Sequence, residues 1–176
     1  MRQKFCAALI SNSFITDKFR LKFINELNKY KTVDMGGLYN NNIGKRVKDK
    51  IAFLNSYKFS IAMENSDGDG YSSEKLIEAF KTGTIPIYYG DYMVDEFINP
   101  KSFILIKGEK DLYQKIQYII TLDNNDEKYK SILKENVISN KYLLGRLDKE
   151  MIQFFSHIFN QKKSNAIRRD NYYELK

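Results

Sequence analysis

Apolar residues along the chain follow two spacings. KFCAALISN (4–12), KFSIAMEN (58–65), TIPIYYG (84–90) and SFILIK (102–107) are short, nearly continuous apolar runs, the pattern of strands buried in a parallel sheet. VDMGG (33–37) is a brief strand or turn closed by paired glycines. DKFRLKFINELNKY (17–30) sets Phe19, Phe23 and Leu27 four residues apart with Ile24 beside them, which predicts an amphipathic helix. KRVKDKIAFLNSY (45–57) has helical spacing through Val47, Ile51 and Leu54. SSEKLIEAFKTG (72–83) reads as a short helix with a serine cap and a glycine stop. Pro86, inside the third run, predicts an irregular or edge strand.

Beyond residue 107 the patterns are helical: EKDLYQKIQYIITL, DEKYKSILKENVI and DKEMIQFFSHIFNQKK. Alternating strands and helices predict an α/β fold, a Rossmann-like parallel sheet with flanking helices, the helical end packing over one side. The chain divides at residue 160, with 161–176 a basic, aromatic tail that is either a surface helix or partly disordered.

With 176 residues, 43% apolar and 29% charged, the chain is long enough for one domain with a real core. The single cysteine, Cys6, excludes an internal disulfide and a thiolate metal site, and its apolar run predicts a small buried hydrophobe. The longest apolar run falls short of a membrane span, and the apolar stretch after Met1 is too short for a signal peptide, so a cytoplasmic protein is expected, or one on the inner face of a membrane. The net charge of +7 favours anionic partners without choosing among nucleic acid, phosphorylated small molecules and acidic lipid.

The chemistry concentrates in ENSDGDGYSSEKLIEAF (64–80). Read as a calcium loop from Asn65, it has Asp67, Asp69 and Gly70 in place, but Leu76 stands where the bidentate glutamate is required. Asp67-Gly68-Asp69 also fits a two-aspartate metal pattern, though aspartates between glycines usually make a turn. No metal site is therefore expected. His157, in the helical run FFSHIF, reads as a packed or half-exposed core histidine. The other reading is a helix terminus: a strand, a glycine-rich turn, then a helix opening with Ser72-Ser73-Glu74-Lys75 at the sheet edge where ligands bind. Lys75 opposes the helix dipole there, and a bound anion would offset that cost of roughly 0.3–1 kcal/mol. A capped surface helix with Glu74 and Lys75 in solvent fits the local pattern equally well.

A larger pattern separates these readings. Tyr57-Lys58-Phe59, Glu64-Asn65, Tyr71, Ser73-Glu74-Lys75, Ala79, Gly83-Thr84, Pro86 and Pro100-Lys101-Ser102-Phe103 resemble, in order and spacing, the donor-binding signature of the α1,3/4-fucosyltransferases, glycosyltransferase family 10. The stretch from Ile10 through Arg20 to GGLYNNNIGKRVKDK is similar to the bacterial branch. The resemblance covers about residues 4–107; Met63 replaces an aromatic residue and Ser73 a threonine, keeping the hydroxyl.

The resemblance implies the C-terminal half of a GT-B glycosyltransferase. Residues 1–160 would then bind GDP-fucose as donor substrate, with no cofactor required. It implies Arg20 and Lys75 on the diphosphate, Glu74 on the ribose hydroxyls, Asn65 and Tyr71 in the phosphate and fucose pocket, and Ser73 as a further donor-binding residue. Without it, Arg20 reads as a solvated helix residue. A fixed guanidinium and an ammonium stabilise the charge that develops on departing GDP, so a metal is not strictly needed, although the residues do not decide whether a divalent cation assists. The family's catalytic base and acceptor site belong to its other half. The expectation is thus a donor-binding half (a fragment, a split gene product or a short relative) working with a glycan acceptor held by a missing or separate domain. A non-catalytic nucleotide-sugar-binding subunit is the alternative. A basic binder of nucleic acid or membrane surface is a third reading, but no nucleic-acid motif is present, and contact of the tail with anionic lipid is compatible with the first.

Overall fold

The structure is a computed structural model that describes residues 4–11, 18–139 and 144–165. Two compact units divide the chain, 1–139 and 140–176.

The first unit is built on five parallel strands: β1 (Lys4–Ala8), β2 (Val33–Met35), β3 (Tyr57–Met63), β4 (Ile85–Tyr89) and β5 (Ile104–Leu105), in the order β2-β1-β3-β4-β5. Cys6 lies opposite Val33 on one side and Phe59 on the other, and Ile61 opposite Ile87. The intervening helices are α1 (Lys18–Asn28), α2 (Lys50–Leu54), α3 (Glu74–Lys81), α4 (Val94–Phe97), α5 (Leu112–Asp123) and α6 (Asp126–Leu133). Strand residues alternate between two faces. Cys6, Phe59, Met63, Ile85 and Ile87 pack with Phe23 and Leu27 of α1, Ile116 and Ile119 of α5 and Tyr129 of α6. On the opposite face Ala62 and Tyr88 meet Leu76 and Ala79 of α3, and Ala7 meets Leu54 of α2. The expected parallel α/β class is what is observed. Cys6 is fully buried, and that burial pushes its thiol pKa up, as for an inert core cysteine.

Two expectations are corrected. Pro86 does not mark an edge strand: β4 lies between β3 and β5. Pairing with β5 begins only at Ile87, so Pro86 precedes the stretch flanked by named strands on both sides. The helix expected over 45–57 is confined to α2. The Asp49 side chain caps it by accepting from the Ala52 amide at 3.0 Å, while Val47 donates its own amide to the Gly36 carbonyl. Ile51 is exposed, so the apparent Val47–Ile51–Leu54 stripe is not a packed face.

The β1–β2 and β1–β3 neighbours lie on opposite sides of β1, which places a topological switch point at the carboxyl end of β1. Ser11, Gly37 and Asn65, a few residues past the ends of β1, β2 and β3, gather there.

In the second unit, helix α7 (Leu144–Asn160) is followed by a short 3-10 turn at Lys163–Asn165. His157 is exposed on α7, neither packed nor half-exposed in a core as its apolar neighbours suggested. The tail from 166 lies outside the described residues. Among the described residues no helix is long and apolar enough to cross a membrane.

Candidate functional site

Arg20 stands in the first turn of α1 beside Phe19, and only 3% of it is exposed. Packing Phe19, Phe23 and Leu27 onto the sheet carries the neighbouring arginine inward, past the ends of the strands. A buried guanidinium needs partners. Its Nη1 donates to the Met63 carbonyl at 3.2 Å and to Asn65 Oδ1 at 3.1 Å. The solvated-helix reading of Arg20 is therefore overturned: it is fixed at the carboxyl end of β3.

Glu64 follows β3 directly and is fully buried. One carboxylate oxygen accepts the Ser73 amide at 2.8 Å, and the Ser73 hydroxyl lies 2.8 and 2.7 Å from the two oxygens. Ser73 is also the N-cap of α3. The Lys75 ammonium reaches back to Glu64 Oε2 at 2.7 Å and to Ser73 Oγ at 2.9 Å. A buried carboxylate beneath a helix N-terminus is electrostatically favourable, and it offsets the poor placement of Lys75 against the dipole. Sequence reasoning quoted Glu64 within the signature but gave it no role. The available signal was a carboxylate closing an apolar strand, where a buried charge must have a partner.

The loop between β3 and α3 is pinned from the other side by β4. Asp91, buried, accepts the Gly70 and Met93 amides at 2.8 and 2.9 Å and the Ser72 hydroxyl at 2.7 Å. The Gly68 amide donates to the Gly90 carbonyl, and the Glu64 amide to the Tyr89 carbonyl. Gly90 has φ +150°, and a Cβ there would lie 2.4 Å from Glu64 Cγ. Gly37 makes the matching approach at β1, where a Cβ would fall 2.0 Å from the Ile10 carbonyl oxygen.

These elements enclose a cavity of about 260 Å³ lined by Ser11, Arg20, Arg46, Lys50, Asn65 and Lys75, with Leu9, Ile10, Gly36, Gly37 and Val47. Among the described residues, four cations line it and no carboxylate does. A smaller cavity of about 90 Å³ shares Arg20, Lys50 and Lys75 and adds Glu74 and Glu78. Of the residues expected from sequence, Arg20, Asn65 and Lys75 thus come together in the larger space, and Glu74 borders the smaller. Tyr71, half exposed, and Ser73 line neither. Arg46 and Lys50 were missed: 45–57 was expected to be one helix, and neither residue was given a role. Asp67 and Asp69 are exposed, and among the described residues no cluster of His, Cys, Asp and Glu is arranged to hold a metal ion.

The comparisons with known proteins agree with this architecture. The family described as "Glycosyltransferase family 10 (fucosyltransferase) C-term" matches residues 1–142. An alpha-(1,3)-fucosyltransferase of Helicobacter pylori is 36% identical over 157 residues, covering 86% of this chain and 32% of that protein. A GDP-fucose protein O-fucosyltransferase 3 of Xenopus tropicalis is 30% identical over 142 residues, covering 73% of this chain and 30% of that protein. A crystal structure of an alpha1,3-fucosyltransferase with GDP-fucose superposes with a TM-score of 0.83 at 34% identity, covering 97% of this chain and 50% of that one. The chain spans about a third of the length of these curated relatives and half of the solved chain. A strand-end crevice rich in cations, the motif order along β3, α3 and β4, and the match over residues 1–142 place the chain in glycosyltransferase family 10, the fucosyltransferases.

Proposed function

We propose that this chain binds GDP-fucose in the crevice at the carboxyl ends of β1, β2 and β3, as the donor-binding half of an inverting fucosyltransferase. The observation that carries this is the fixed, buried Arg20 beside Lys75 in a cavity whose described lining holds no carboxylate. That is an environment for an anion, at the position where open parallel sheets bind ligands. The relative solved with GDP-fucose supports the identity of the anion.

In the reaction, a base takes the proton of an acceptor hydroxyl on a glycan. The oxygen then attacks the sugar's anomeric carbon, the bond to the diphosphate oxygen breaks, and GDP leaves with the electron pair. Arg20 is held in place before the ligand arrives, so it stabilises the departing charge without reorganising. Lys75 offers its remaining N–H from the wall of the cavity, and Glu74, at the rim of the neighbouring one, accepts from ribose hydroxyls. Asn65 orients Arg20, Ser73 holds Lys75, and Tyr71 on the half-exposed loop faces the sugar. No carboxylate lines the larger cavity among the described residues, and in this proposal the base comes with the acceptor from another segment or chain.

Titration calorimetry of GDP and GDP-fucose into the chain tests this. Wild type binds both, and Arg20→Ala and Lys75→Ala each weaken both by about 10-fold or more. Absence of wild-type binding overturns the reading. Fucose transfer on adding an acceptor domain separates a catalytic half from a purely binding subunit.

A further inference from the structure

The charges fixed around the donor crevice do not balance a diphosphate. Lys75 is matched by the buried carboxylate of Glu64 at 2.7 Å, so these two sum to zero. Arg20, which donates to a carbonyl and an amide, adds at most one positive charge. A nucleoside-diphosphate sugar brings one negative charge on each phosphate, and the diphosphate gains more as the glycosidic bond breaks. Two further cations line the same space: Arg46, from the segment between β2 and α2, and Lys50, the first residue of α2. Arg46 is exposed and has no ion pair among the described residues. Lys50 is paired with Glu78 at 3.1 Å, but both side chains are more than a third exposed, and a surface pair of this kind is weak enough for a phosphate to displace. Arg46 is also tethered on the crevice side, because the amide of the next residue, Val47, donates to the Gly36 carbonyl at the end of β2.

We infer that Arg46, supported by Lys50, is a phosphate-binding residue that supplies the missing positive charge and makes the crevice select a nucleoside diphosphate over a monophosphate. The inference rests on the donor-binding reading above. The segment 45–50 thereby acts as one wall of the ligand site. Coulomb attraction scales with the charge of the ligand, so removing one cation costs a diphosphate more than a monophosphate. A guanidinium also grips phosphate oxygens in pairs, which a lysine does not reproduce.

The experiment is calorimetric titration of GDP and GMP into the full chain as wild type, Arg46→Gln, Lys50→Gln and Lys48→Gln. Lys48 is an exposed neighbour that does not line the cavity. Arg46→Gln is expected to weaken GDP by about 10-fold, Lys50→Gln by less, and both to weaken GMP by smaller factors. Lys48→Gln is expected to leave both affinities unchanged, and all variants to melt at the wild-type temperature. If wild type binds GDP and Arg46→Gln binds it equally well, the inference fails while the donor-binding reading stands. If Lys48→Gln weakens GDP as much as Arg46→Gln, the effect is a diffuse field and Arg46 has no special role. If wild type itself does not bind GDP, the reading of the whole site falls, and this inference with it.

Discussion

The ammonium of Lys75 lies 2.7 Å from a carboxylate oxygen of Glu64, and Glu64 has no exposed surface. Removing Lys75 therefore does two things: it takes a cation from the crevice and leaves a buried anion with only Ser73 as side-chain partner among the described residues. Lys75→Ala is expected to lower stability by about 3 kcal/mol without any ligand, read as a shifted urea midpoint. Glu64→Gln keeps the shape and loses the charge, so it should cost less stability. A Lys75→Ala protein as stable as wild type would show that the pair is not formed in solution.

Gly90 touches the same pair from behind. A methyl group there meets Glu64 Cγ at 2.4 Å, in a backbone conformation that disfavours any Cβ. Gly90→Ala should push Glu64 aside, destabilise the fold by about 1–3 kcal/mol and weaken GDP through Lys75. Unchanged stability and affinity would mean that β4 gives way without disturbing Glu64.

Asp91 ties the loop 66–72 to the end of β4 through the Gly70 amide and the Ser72 hydroxyl, and it also accepts the Met93 amide. Asp91→Ala leaves these donors without their acceptor and is expected to cost about 2 kcal/mol. Amide exchange should speed up at Gly70 and Met93, and GDP-fucose affinity should fall more than GDP affinity if Tyr71 faces the sugar.

Asp67 and Asp69 are exposed in that loop. Changing both to Asn should leave GDP affinity within about 2-fold, with or without magnesium, since surface substitutions outside a site rarely exceed ~0.5 kcal/mol. A magnesium-dependent loss would instead give these aspartates a metal role.

A buried carboxylate outside the crevice lining contributes to the acid stability of the fold. Burial alone would raise the pKa of Asp123. Lys31 at 2.6 Å, Lys58 at 3.1 Å and the Tyr30 hydroxyl at 3.0 Å outweigh burial and hold it below the ordinary carboxylate range. The folded form thus binds its proton less readily than the unfolded chain. The stabilisation is complete above the unfolded value, near 3.9, and is lost as pH falls below it. Asp123→Asn should be less stable at neutral pH and show a flatter acid limb in denaturation curves taken between about pH 2 and 5.

The local spacing of apolar residues determined much of this protein. Phe19, Phe23 and Leu27 specified α1, and the run from Tyr57 to Met63 specified β3, because a helix face and a two-sided buried strand each leave their own period in the sequence. Ser73 and Gly83 bracket α3 through the unpaired groups at helix ends. The order of residues from Tyr57 to Phe103 was enough to suggest the family.

What spacing could not carry was decided by packing across the sheet. Arg20 is one residue among many on a helix, and only the docking of α1 over the strand ends buries it against Met63 and Asn65. Glu64 acquires its partners from a helix that starts ten residues later. Arg46 and Lys50 enter the crevice because Asp49 starts α2 late and Val47 is tied to Gly36, and His157 stays exposed although its neighbours are apolar. Long-range pairing of charges and carbonyls follows the tertiary path of the chain, and a one-dimensional pattern does not encode which distant atoms will share a buried space.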